Sequence, residues 1–140
     1  MAYRGTRVTV NIDRAKVRMH VGRLTEASAR RASEAVQRRA RNNIRRAGRI
    51  NTGAMLNSIE VTRLGTSTLL EPKFRIGSDL QYARYQEHGI GPVYPVRAKV
   101  LRFKPKGSNT FVFARRTRGF EGAHFMRDAY RAITKQDFLP

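Results

Sequence analysis

From Asp13 to Gly48 the chain repeats small and apolar residues at helical spacing, and this run limits the possible folds more than any other stretch. Val17, Val21, Leu24, Ser28, Ala32, Val36, Ala40, Ile44 and Ala47 follow one another in steps of three and four, so a helix carries them on one face. Asp13 suits the N-cap, because its carboxylate can accept a free backbone N–H of the first turn. Gly48 suits the stop, since glycine takes the left-handed conformation at low cost. Unbroken, such a helix runs roughly 50 Å, more than a domain of this size needs to cover its core. Gly22 could divide it into a short helix and a longer one. Ala27, Ala29, Ala32, Ala35 and Ala40 permit close approach of a sheet or a second helix. The other faces carry Arg23, Arg30, Arg31, Arg38, Arg39, Arg41, Arg45, Arg46 and Arg49, opposed only by Glu26 and Glu34. One face is therefore built for a core and a wide basic face for something else.

That imbalance extends to the whole chain: 29 Lys and Arg against 10 Asp and Glu, a formal charge of +19 over 140 residues. Self-repulsion on this scale favours anionic partners, whether nucleic acid, acidic protein surfaces or lipid head groups. The excess of arginine over lysine favours bidentate contacts with carboxylate or phosphate. With no cysteine, disulfides, thiolate metal sites and cysteine nucleophiles are excluded. No window approaches the ~20 apolar residues of a membrane span, and the first residues lack a signal-peptide pattern. The expectation is a soluble protein of a reducing compartment.

The length suits one domain over residues 1–140. Within it, 1–12 form an N-terminal strand or arm, with Val8, Val10 and Ile12 alternating, and 13–48 form the helix. Asn51 or Thr52 can cap a short turn over Ala54–Ser58. Ile59–Leu64 and Lys73–Gly77 read as a hairpin, Asp79–Gly91 as a short helix ended by glycines, and Val100–Phe103 with Phe111–Phe113 as a second hairpin. Arg115–Gly122 is a basic loop, Ala123–Lys135 a helix, and 136–140 a flexible tail. The fold class is α+β, with the N-terminal and C-terminal helices covering one face of an antiparallel sheet of about four strands.

Chemistry has little to work with. His20, His88 and His124 are not at metal-ligand spacing, and no cofactor motif or phosphate-binding glycine loop is present. Glu87 and His88 beside Tyr82 and Tyr85 could form an acid–base cluster, yet no second catalytic group accompanies them. The simpler reading has Tyr82, Tyr85 and Glu87 pinning a tight turn against the sheet. Phe111 and Phe113 beside Lys104, Lys106, Arg115 and Arg116 resemble a base-stacking surface. Alternation puts both rings on one face, where core burial is the commoner fate.

Three stretches add a resemblance. Thr52-Gly53-Ala54-Met55-Leu56-Asn57-Ser58-Ile59 resembles the Thr-Gly-x-Leu-x-x-Ser-Ile signature of the HK97 gp10-like tailed-bacteriophage proteins. Tyr82-Ala83-Arg84-Tyr85-Gln86-Glu87-His88-Gly89 is similar to that family's Tyr-Ala-x-x-Val-Glu-Phe-Gly block. Phe125-Met126-Arg127-Asp128-Ala129 is similar to its closing Pro-Phe-Leu-x-Pro-Ala block. With the long charged helix ahead of them, they extend the resemblance from about Asp13 to Ile133. The resemblance implies a non-enzymatic virion protein that forms a homo-oligomeric ring at the head–tail junction or the top of the tail. Its implied neighbours are head-connector and tail-tube proteins, with possible contact to packaged DNA and no membrane, in the host cytoplasm during assembly. The motif residues Thr52, Gly53, Ser58, Tyr82, Ala83, Glu87, Gly89, Phe125 and Ala129 are then structural. Arg30, Arg31, Arg38, Arg41, Arg45, Arg115, Arg116 and Arg118 are the partner-contact candidates. A free nucleic-acid-binding protein and a small hydrolase using Glu87 and His88 are the alternatives.

Overall fold

The computed structural model describes residues 11–48, 53–105 and 107–140. Helix α1 spans Arg14–Arg46 without a break. The Asp13 carboxylate accepts from the Ala15 and Lys16 amides, each at 3.1 Å, and so satisfies two of the free donors of the first turn. At the other end Arg45 and Arg46 complement the carbonyl pole, and Gly48 turns the chain out at φ 64°. Gly22 does not divide the helix. It is a notch under Leu69, whose Cβ would lie 2.9 Å from a methyl placed there.

Only the C-terminal half of the apolar face reaches a core. Ala32, Ala35, Val36, Ala40 and Ile44 are buried, whereas Val17, Val21 and Leu24 stay exposed among the described residues. The rest of the chain gathers around the buried half. α2 is Ala54–Asn57, followed by a hairpin in which β1 (Glu60–Arg63) pairs antiparallel with β2 (Phe74–Gly77), Glu60 opposite Gly77 and Arg63 opposite Phe74. Helix α3 (Gln81–His88) runs into β3 (Gly89–Ile90). β4 (Leu101–Phe103) pairs with β5 (Val112–Ala114), with Leu101 opposite Ala114. β6 (Phe120–Glu121) returns to pair with β3, and α4 (Phe125–Arg131) closes the core before a 3-10 turn over Lys135–Phe138.

The class is α+β, but among the described residues the strands form three two-stranded antiparallel ladders, not one sheet of about four. Strands of two to four residues separated by Pro92, Pro95 and Pro105 lack the run of amide donors needed to join ladders. The core is consequently organised by helices. Val36, Ala40 and Ile44 of α1 meet Met55, Ile59, Ala83, Phe125 and Ala129. Ala40 and Ala129 have no exposed surface, so α1 and α4 approach closely through their smallest side chains. Burying Ile44 and Ile59 in this cluster contributes about 1.5–3 kcal/mol each.

Four expectations need correction or lie out of view. The C-terminal helix is shorter than Ala123–Lys135: it starts after His124, whose φ is 49°, and ends at Arg131. The tail does not fray from Gln136. Asp137 forms a bidentate pair with Arg39 at 2.8 and 2.9 Å and closes a capping box with Thr134, while Arg31 donates to the Phe138 carbonyl at 3.2 Å. These contacts lower the Asp137 carboxyl from its ordinary 3.8 to about 2, chiefly through the Arg39 guanidinium and then the Thr134 amide. The N-terminal strand falls mostly outside the described residues, and Asn11 and Ile12 are not in a strand; the Asn51 or Thr52 cap also lies outside them.

Candidate interaction surfaces

Four of the motif residues are buried: Ala83, Phe125 and Ala129 in the central cluster, and Glu87. Gly53 starts α2 in the left-handed region at φ 76°. The Ser58 hydroxyl bonds the Met55 carbonyl at 2.8 Å and the Ser78 hydroxyl at 2.7 Å, which ties α2 to the segment entering α3. Thr52 lies outside the described residues. Tyr82 and Tyr85 are exposed, so the tyrosines do not pin the turn; Glu87 alone does that work.

Glu87 is buried, and its two carboxylate oxygens accept from the amides of Met126 at 2.9 Å and Arg127 at 3.0 Å. It thus caps α4 from a distance, in place of His124, whose side chain makes no capping bond. The backbone repeats the connection: Ala123 N–H donates to Gln86 O and His124 N–H to Glu87 O. This approach leaves no room for a side chain. A methyl on Gly122 would collide with the Glu87 carbonyl, and one on Gly89, at φ 81°, would lie 2.5 Å from the Phe120 carbonyl. The glycine that ends the second motif block is therefore required by the β3–β6 crossing. Both Glu87 carboxylate oxygens are held by backbone donors, and among the described residues no second group converges on the exposed His88. Among the described residues no group of His, Asp and Glu could hold a metal ion.

The arginine candidates divide into two sets. Arg31 and Arg41 are part-buried and bond within the subunit. Arg31 bonds Ser28 and Phe138, and Arg41 donates to the Ile59 carbonyl at 2.9 Å beside Gln37. Arg30, Arg38 and Arg45 stay outward, Arg30 with its guanidinium 5.6 Å from the Phe74 ring and Arg45 on Asn42. Arg115, Arg116 and Arg118 are exposed on the segment leaving β5.

Two further features were not expected from the sequence. An apolar cleft of about 540 Å³ opens between α1, β2, α4 and the closing turn, lined by Ala32, Val36, Phe74, Ile76, Ile133 and Phe138. Its buried hydroxyl, Ser33, is already bonded to Ala29 O, and its other polar lining residues, Tyr130 and Arg131, are exposed. The second feature is the β4–β5 hairpin, which contributes nothing to the central cluster. Phe111 and Phe113 are exposed there, not buried, with Arg102 stacked 3.9 Å from the Phe111 ring. The signal available in the sequence was the composition of 91–120, rich in Val, Phe, Lys and Arg and without Asp or Glu.

Comparisons with curated proteins and with solved structures give no match. Residues 11–89 match the family described as "Bacteriophage HK97-gp10, putative tail-component". The match runs from α1 to the end of α3, so the Phe125–Ala129 block and the β4–β5 hairpin lie beyond it. More than half of the chain is covered, and with the Thr-Gly turn, the Glu87 clasp and the long α1 all inside that span, the protein belongs to the HK97 gp10-like family of bacteriophage tail components.

Proposed function

We propose that this tail component forms a closed homo-oligomeric ring at the head–tail junction or the top of the tail, joining the connector to the tail tube. The observation that carries this reading is the overhang of α1. Val17, Val21 and Leu24 continue the core stripe yet stay exposed among the described residues, and a neighbouring copy in a ring would cover them. Ring closure would also shield the short, open ladders. The role is structural and needs no catalytic centre or cofactor.

Each copy brings a formal +19, so a ring must be offset by anionic neighbours. Acidic connector and tube proteins suit the outward Arg30, Arg38 and Arg45, because bidentate arginine–carboxylate pairing fixes one ring on another. DNA passing the ring has to slide, and a strongly basic lumen would hold it back. Size-exclusion chromatography with light scattering tests the ring: a stable closed oligomer is expected, and a monomer that binds DNA with steep salt dependence refutes it. Charge reversal at Arg38 and Arg45 should stop head–tail joining. A structure of the assembled junction with most of these arginines lining the lumen would overturn the acidic-neighbour assignment.

A further inference from the structure

The β4–β5 hairpin is an arm built against the ordinary logic of a small domain. No residue between Ile90 and Gly122 joins the central cluster, and β4 and β5 pair only with each other among the described residues. The arm is nonetheless apolar. Val96 is 95% exposed, Phe113 63% and Phe111 51%, with Val93, Val100 and Val112 also in solvent. Phe111, Val112 and Phe113 adjoin at β5, and exposed apolar surface grouped in this way marks a contact site. The sequence from Arg97 to Arg118 carries eight Lys and Arg, and from Gly91 to Phe120 it has no Asp or Glu.

Three physical arguments select the occupant. First, a second copy of this chain, with 10 Asp and Glu against 29 Lys and Arg, is a poor source of opposing charge. Asp13, Glu26, Asp79, Glu87, Asp128 and Asp137, six of its ten acids, already accept bonds within the subunit. Second, duplex DNA would use the cations and leave Val96, Phe111 and Phe113 in water, while single strands would use rings but not the exposed valines. Aromatic and aliphatic side chains framed by arginine are the anatomy of a protein interface. Third, a two-stranded ladder has two free edges, each able to accept another strand by main-chain bonds.

We propose that the β4–β5 arm is a docking element that captures a strand of a different, acidic protein, one alternating carboxylate and apolar side chains along a free hairpin edge. This rests on the acidic-neighbour reading above and names the element and the form of its partner. Apolar positions of the captured strand meet Phe111 and Phe113, which share a face, and its carboxylates meet Lys104, Arg115 and Arg116 beyond the ends of β4 and β5.

The test uses the full-length protein and a synthetic peptide alternating glutamate and valine. A lysine–valine peptide, polyglutamate, duplex DNA and oligothymidylate serve as competitors. The glutamate–valine peptide is expected to bind, and the Phe111→Ser/Phe113→Ser variant to weaken it by about tenfold or more. Arg115→Glu/Arg116→Glu should weaken it as much. Both pairs of side chains are exposed, so thermal unfolding should match that of the parent protein. Equal binding of polyglutamate or duplex DNA with no effect of the phenylalanine variant would overturn the proposal in favour of a plain polyanion surface. Oligothymidylate binding lost in the phenylalanine variant would overturn it in favour of nucleic acid. Light scattering on the same samples separates the two proposals: a ring without peptide binding refutes only the arm, and peptide binding without a ring refutes only the ring.

Discussion

Replacing Glu87 by Gln tests whether the second motif block is a fold clasp or a remnant of chemistry. The carboxylate accepts two amide hydrogens, from Met126 at 2.9 Å and Arg127 at 3.0 Å, at the start of α4. A glutamine keeps one oxygen, so one amide would face an NH₂ group, donor against donor, in a buried place. A hydrogen bond to a charged group contributes about 1.5–3 kcal/mol, and the negative charge at a helix N-terminus adds a few tenths more. The expected loss is about 2–3 kcal/mol, which for a chain of this length lowers Tm by roughly 6–10 °C. Glu87→Ala should cost more, because both amides lose their acceptor. Urea and thermal unfolding followed by circular dichroism give both numbers. A Gln variant within about 0.5 kcal/mol of the parent protein would refute the clasp. So would hydrolysis of a generic ester or glycoside that vanishes with the carboxylate.

Other perturbations follow from the same geometry. Because the Asp137 carboxyl is lowered to about 2 in the folded chain, its pairing with Arg39 stabilises the fold above the ordinary value of 3.8 and is lost as pH falls towards 2. The stability gap between the parent protein and Asp137→Asn should therefore be constant above about pH 5 and close in acid, as acid unfolding series will reveal. Ala40→Trp should cost about 3 kcal/mol or prevent folding, since the site has no exposed surface, whereas Ala32→Trp should be milder because Ala32 borders the open cleft. Gly122→Ala should destabilise by about 2 kcal/mol or more through its collision with the Glu87 carbonyl, measured by the same unfolding assay. Val21→Ser/Leu24→Ser should leave subunit stability within about 0.5 kcal/mol and reduce assembly seen by light scattering, because both side chains are exposed in the single subunit.

Much of this molecule was written in local sequence. The period of α1, its Asp13 cap and its Gly48 stop depend on neighbours within a few residues, and the structure reproduces all three. The first hairpin and the two later helical segments follow for the same reason: alternation and glycine signals act over short range. The family was also legible, because Gly53, Ser58, Glu87 and Gly89 occur in a recognisable order. What remained hidden was decided by distant partners. One unbroken stripe on α1 gave no sign that Ala32–Ile44 would be covered and Val17–Leu24 left bare. Arg31, Arg39 and Arg41 look like Arg38 in sequence, and only the return of the C-terminal turn and of Ile59 to α1 drew them inward. Phe111 and Phe113 alternate as core residues do, but burial needs a second surface to pack against, and among the described residues both rings stay exposed. Periodicity fixes which side chains share a face; whether that face meets another is a property of the tertiary structure alone.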